Sequence, residues 1–70
     1  MTLREGALVR ILETAFGDSS EPRDVAARGQ LATLLGIVDI TPPEVGWEAA
    51  LQESGETVLV YEDEVQVVRP

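Results

Sequence analysis

Seventy residues without a cysteine must be stabilised by one small apolar core, because no disulfide can staple the folded chain. A chain of this length accommodates one domain, which we assign to residues 1–70. Its limited buried surface favours association, so that a homo-oligomer remains open. Histidine is absent too, which removes the imidazole base and a common zinc ligand. We therefore expect a protein that is not an enzyme and that holds no cofactor and no metal.

The charge of the chain is strongly negative and unevenly distributed. Thirteen acidic residues and five arginines give a net charge of −8, and residues 29–68 contain eight acidic residues and no basic one. Such a field repels phosphates and anionic lipid but attracts cationic protein surfaces. The sequence therefore predicts a protein partner with a basic surface and disfavours nucleic acid and membranes.

The hydropathy pattern bears on location. No apolar run reaches the roughly 18 residues that a membrane-spanning helix requires. The first ten residues, MTLREGALVR, lack the long apolar region of a signal peptide. We expect a cytoplasmic protein that does not cross a membrane.

The first segment of the chain has a helical period. Over residues 3–16 the apolar side chains fall on one arc of a helix. Thr2 and Glu5 match a capping box, and Gly17 offers a stop. These signals predict a first helix, with a strand over residues 6–12 as the alternative.

Two further helices are predicted downstream. The apolar spacing from Asp24 to Val38 indicates a second helix, which Gly36 weakens and can end. The run TPPE at residues 41–44 has a threonine cap, a proline in the first turn and a glutamate at the third helical position. It predicts that a third helix begins there and ends at Gly55.

The last part of the chain changes to β-branched residues. Thr57–Tyr61 and residues 65–68 are rich in valine, and the acidic residues Glu62–Glu64 separate them. The pattern predicts a β-hairpin with an acidic turn.

Three helices followed by a hairpin resemble the winged helix-turn-helix family. The run LLGI at residues 34–37, leading to TPPEV at 41–45, is similar to its turn and the start of its recognition helix. The resemblance implies an α+β fold with a C-terminal β-hairpin. In that family the third helix enters the DNA major groove and the hairpin contacts phosphates.

The charges depart from that family. Glu44, Glu48 and Glu53 occupy the predicted third helix where a DNA-binding protein places basic residues, and the hairpin turn is acidic. We therefore expect an acidic protein-interaction or regulatory module that binds its partner through the third helix and the hairpin.

The predicted partner-binding residues are Trp47, Glu48, Glu62, Asp63 and Glu64. Trp47 is the one tryptophan of the chain and fits either the core or an anchor that concentrates binding energy. The other large apolar residues predicted for the core are Leu12, Phe16, Leu31, Leu34, Leu35, Leu51, Val58 and Val60.

Two alternative functions remain open. A DNA-binding transcription regulator would use arginines of the first half, above all Arg23 and Arg28. An accessory subunit of a larger enzyme complex would have an all-β, SH3-like small barrel, similar to small electron-transfer or hydratase accessory chains. Residues 8–12 and 61–65 would then form its opening and closing strands.

Overall fold

The computed structural model describes residues 3–41 and 44–70, and these residues form a mostly β structure. One five-stranded antiparallel sheet has the strand order β4-β3-β2-β1-β5. Helix is confined to one short segment and a single 3₁₀ turn among the described residues. In chain order the elements are β1 (Leu8–Ile11), α1 (Pro22–Ala27), β2 (Leu31–Thr41), β3 (Glu44–Leu51), β4 (Thr57–Tyr61), the 3₁₀ turn (Glu62–Glu64) and β5 (Val65–Arg69).

Strands form where apolar residues alternate between the two faces of the sheet. In β4, Val58 and Val60 are buried while Thr57 and Leu59 are exposed, as the two-residue period of a half-buried strand requires. Strand β1 alternates in the same way. The sheet therefore has one face on the core and one face toward solvent.

The winged-helix prediction is wrong. The segment predicted as the first helix holds β1 and turns, the second predicted helix is replaced by α1 and β2, and the third by β3. The described residues contain no helix-turn-helix. A helical period reports only the spacing of side chains along the chain, whereas strand pairing adds backbone hydrogen bonds and burial from distant segments. The run TPPE lies where β2 passes to β3, with Pro42 and Pro43 outside the described residues.

The all-β alternative fits this architecture. Strand β1 lies within the strand predicted over residues 6–12, and the five antiparallel strands fit an SH3-like small barrel. The closing strand expected over residues 61–65 is not continuous: Tyr61 ends β4, Glu62–Glu64 form the 3₁₀ turn, and Val65 begins β5.

The two C-terminal strands are confirmed, but they do not form a hairpin with each other. Strand β4 pairs with β3, and β5 pairs with β1 at the opposite edge of the sheet. The 3₁₀ turn Glu62–Glu64 carries the chain from one edge to the other. The acidic residues predicted for a hairpin tip therefore lie in a crossover.

The core lies on one face of the sheet, and its largest fully buried side chains are Val9, Ile11, Leu34 and Val60. Of the predicted core residues, Leu34, Leu51, Val58 and Val60 are buried and Phe16 packs against them. Leu35 is the clear exception, because its side chain is exposed.

Candidate interaction surface

Strand β2 is interrupted by two bulges in its pairing with β3. Leu34 lies opposite Ala49 and Gly36 opposite Glu48, so that Leu35 is an extra residue in β2. A second register shift, between Ile37 and Asp39, makes Val38 an extra residue as well. A bulge leaves its extra residue unpaired and bends the strand. Both extra residues are large and apolar, and their side chains are 42% and 57% exposed.

Beyond Leu34, β2 extends past the N-terminal end of β1. The last backbone bonds between these segments join the Leu34 N–H to the Ala7 carbonyl at 3.0 Å and the Gly6 N–H to the Leu34 carbonyl at 2.8 Å. Within the described part of the chain, residues 35–41 pair only with β3. We call residues 35–41 the β2 arm, and we call the edge with which no described residue pairs its open edge.

The β2 arm carries further apolar side chains, in addition to the two bulge residues, on the face of the sheet that also bears the core. Ile37 lies opposite Trp47 and Ile40 opposite Val45, and directly opposed residues share a face of an antiparallel sheet. Ile37 and Ile40 are nevertheless 49% and 66% exposed. The apolar face therefore continues outward beyond the packed body of the protein.

The opposite face of the arm is acidic. Asp39 lies opposite Gly46, and Glu48 lies opposite Gly36. Strands β2 and β3 contain no basic residue. This face of the β2 arm thus carries its negative charge, with Val38 beside Glu48.

The structure brings together two residues predicted by rival hypotheses. Glu48, predicted to bind a protein, and Arg23, predicted to bind DNA, both line a cavity of about 340 Å³ with Val38 and Leu59. Arg23 Nε lies 3.9 Å from a carboxylate oxygen of Asp24 and stays largely exposed. A positive charge therefore adjoins the acidic face of the arm.

The three residues of the acidic turn have different surroundings. Glu62 and Asp63 are exposed, whereas Glu64 is half-buried. The Phe16 N–H donates to Glu64 Oε2 at 2.7 Å, and the Tyr61 N–H donates to Oε1 at 3.0 Å. Glu64 thus fastens the turn to the loop after β1, in addition to any role toward a partner.

Glu62 borders a second concave surface. A groove of about 550 Å³ lies between the loop after β1 and β5. Leu3, Leu12, Val65 and Val67 form its apolar lining beside the Glu62 carboxylate. The predicted residue Glu62 is therefore separated in sequence and in strand position from the β2 arm.

Arg28 has extensive contacts with backbone. Its Nε donates to the Ala15 carbonyl at 2.9 Å, and Nη2 donates to Ser19 at 2.9 Å and to Gly17 at 3.3 Å. One planar guanidinium thereby holds three carbonyls of the loop between β1 and α1. Its Nε and Nη2 donors are occupied by the protein itself, which weakens the case for a phosphate contact.

Trp47 lies in the core, with 5% of its surface exposed. In the sheet it lies opposite Ile37 of β2 and Val60 of β4. The indole Nε1 is buried and has no hydrogen-bond partner among the described residues. This position agrees with the core interpretation of Trp47 and leaves the ring covered in this conformation.

One feature of the sequence pointed to the arm, but the interpretation of this segment as a helix obscured it. Residues 31–40 are the densest apolar stretch of the chain, too dense for a strand that buries only alternate residues. Leu35, Ile37, Val38 and Ile40 were therefore missed as surface residues.

Residues 3–41 and 44–70 hold no group of three or more potential metal ligands, and no helix there has the length and apolarity to span a membrane. Neither protein-family models, nor curated proteins, nor solved structures match this chain.

Proposed function

We propose that this chain is a protein-interaction module, of the accessory-subunit kind, which binds a partner bearing basic and apolar residues through the β2 arm. One observation carries the proposal: Leu35, Ile37, Val38 and Ile40, clustered in one arm, are each 42–66% exposed. Exposed large apolar side chains that cluster in one segment indicate an interaction surface, whereas scattered ones are ordinary.

The charge of the chain defines the partner. With a net charge of −8 and eight acidic residues over residues 29–68, the field around the arm attracts cationic surfaces. Electrostatic complementarity raises the association rate and selects among partners, while the apolar contact supplies most of the stabilisation. Binding should therefore weaken as salt rises.

A random dodecapeptide library displayed on phage tests the proposal. We expect the wild-type domain to enrich peptides in which lysine or arginine alternates with apolar residues. The double variant Ile37→Ser, Ile40→Ser should bind those peptides at least about tenfold more weakly, in line with loss of two interface anchors.

The matched control is Val25→Ser, Val68→Ser, which removes two exposed valines outside the arm. It should bind the selected peptides as the wild type does. Circular dichroism and urea unfolding of both variants separate loss of binding from loss of fold. Enrichment of acidic peptides, or equal loss in both double variants, would contradict the proposal.

A further inference from the structure

We infer that the partner contributes an extended segment that adds to the open edge of the β2 arm as a sixth strand, and that this segment alternates apolar and basic residues. The inference rests on the proposed function and specifies how the arm is used. It follows from the backbone of the arm and from the different chemistry of its two faces.

The backbone of the arm offers hydrogen bonds along its open edge. In a strand, about half of the N–H and C=O groups point to each side. Those of residues 35–41 that point away from β3 meet no strand among the described residues, because β1 pairing stops at Leu34. Such an edge is a template for another strand.

The other sheet edges are poorer sites for strand addition. Strands β4 and β5 each have five residues, and each presents one exposed large apolar side chain, Leu59 and Val68. Short edges with few apolar side chains are how proteins avoid unwanted pairing. The β2 arm presents four such side chains, and its bulges limit pairing to a short segment.

The two faces of the arm define the sequence of the added strand. Side chains of a strand alternate between faces. One set would lie beside Ile37 and Ile40, and the other beside Asp39 on the opposite face, with Glu48 one strand further away in β3. An alternation of apolar and basic residues satisfies both faces.

A second copy of this chain suits the edge less well. Pairing of two arms would place the Asp39 residues of two chains, each with a net charge of −8, on adjacent strands, and like charges on adjacent strands destabilise a sheet. The charge of the arm therefore selects a basic segment.

The probe is an acetylated and amidated octapeptide of alternating valine and arginine. Two further peptides carry N-methyl groups on the valine amides or on the arginine amides. Only one set of amides can point at β2, so one methylated peptide should bind at least about tenfold more weakly than the other. Binding of the parent peptide should also slow hydrogen exchange of amides within residues 35–41.

Several results would overturn strand addition. Equal binding of the three peptides would show a contact through side chains alone, and the phage selection would then still support the proposed function. Failure of the parent peptide to bind or to protect the arm would also reject strand addition. So would equal binding of an octapeptide with glutamate in place of arginine, or a dimer of the domain that protects the arm. If binding of the phage-selected peptides did not depend on the β2 arm, the proposed function would be rejected as well.

Discussion

The carboxylate of Glu64 accepts a 2.7 Å hydrogen bond from the backbone N–H of Phe16, a residue 48 positions earlier in the chain. Phe16 has a φ of 67°, a left-handed conformation that non-glycine residues seldom adopt. The same carboxylate accepts a bond from the Tyr61 N–H. One side chain therefore joins the crossover between β4 and β5 to a strained turn of the loop after β1.

Substitution of Glu64 should destabilise the fold. In Glu64→Gln, an amide offers one carbonyl oxygen and one NH₂ group, so one of the two backbone N–H donors would face another donor. We expect a loss of about 1–3 kcal/mol in the free energy of unfolding, measured with urea. Glu62→Gln, an exposed neighbour, should stay within about 0.5 kcal/mol of the wild type. Equal losses in the two variants would argue against the Glu64 contacts.

Gly46 and Gly36 should respond in opposite ways to alanine. A Cβ at Gly46 would lie 3.0 Å from Leu59 Cδ1 and 3.2 Å from Asp39 Cβ, whereas one at Gly36 would meet nothing within 4 Å. We expect Gly46→Ala to cost about 1–3 kcal/mol because the neighbouring side chains must give way in a packed region. Gly36→Ala should be neutral or stabilise by up to about 1 kcal/mol. Thermal and urea unfolding measure both, and a neutral Gly46→Ala would show that the packing there yields.

Arg28→Lys should loosen the loop between β1 and α1. A lysine ammonium is a point donor and cannot replace the planar fork that holds the carbonyls of Ala15, Gly17 and Ser19. We expect about 1–3 kcal/mol of lost stability and faster hydrogen exchange in the loop. Arg23→Lys, at a largely exposed position, is the control and should change neither. Unchanged hydrogen exchange of this loop in Arg28→Lys would show that Arg28 does not hold the loop in place.

The fluorescence of Trp47 should report a buried ring. Because only 5% of its surface is exposed, we expect an emission maximum at shorter wavelength than that of free tryptophan and weak quenching by iodide. Unfolding in urea should shift the emission to longer wavelength and restore quenching. Strong quenching in the folded protein would place Trp47 at the surface, as the anchor hypothesis requires.

The sequence determined the character of the surface and the existence of the last two strands. Charge is additive over residues, so the acidity of residues 29–68 does not depend on the fold. The valine-rich segments before and after Glu62–Glu64 form β4 and β5, because β-branched residues favour extended backbone. The predicted pairing of these two strands with each other was nevertheless wrong, because turn residues alone cannot specify which strands pair.

The tertiary structure alone decided the fold of residues 3–41 and 44–55 and the site. The period of residues 3–16 fits a helix, but β1 forms because β2 and β5 pair with it on both sides. Leu35 and Val38 are exposed because of the register between β2 and β3, which no local pattern encodes. Sheet pairing joins residues far apart in the chain, so its free energy is absent from any short window of sequence.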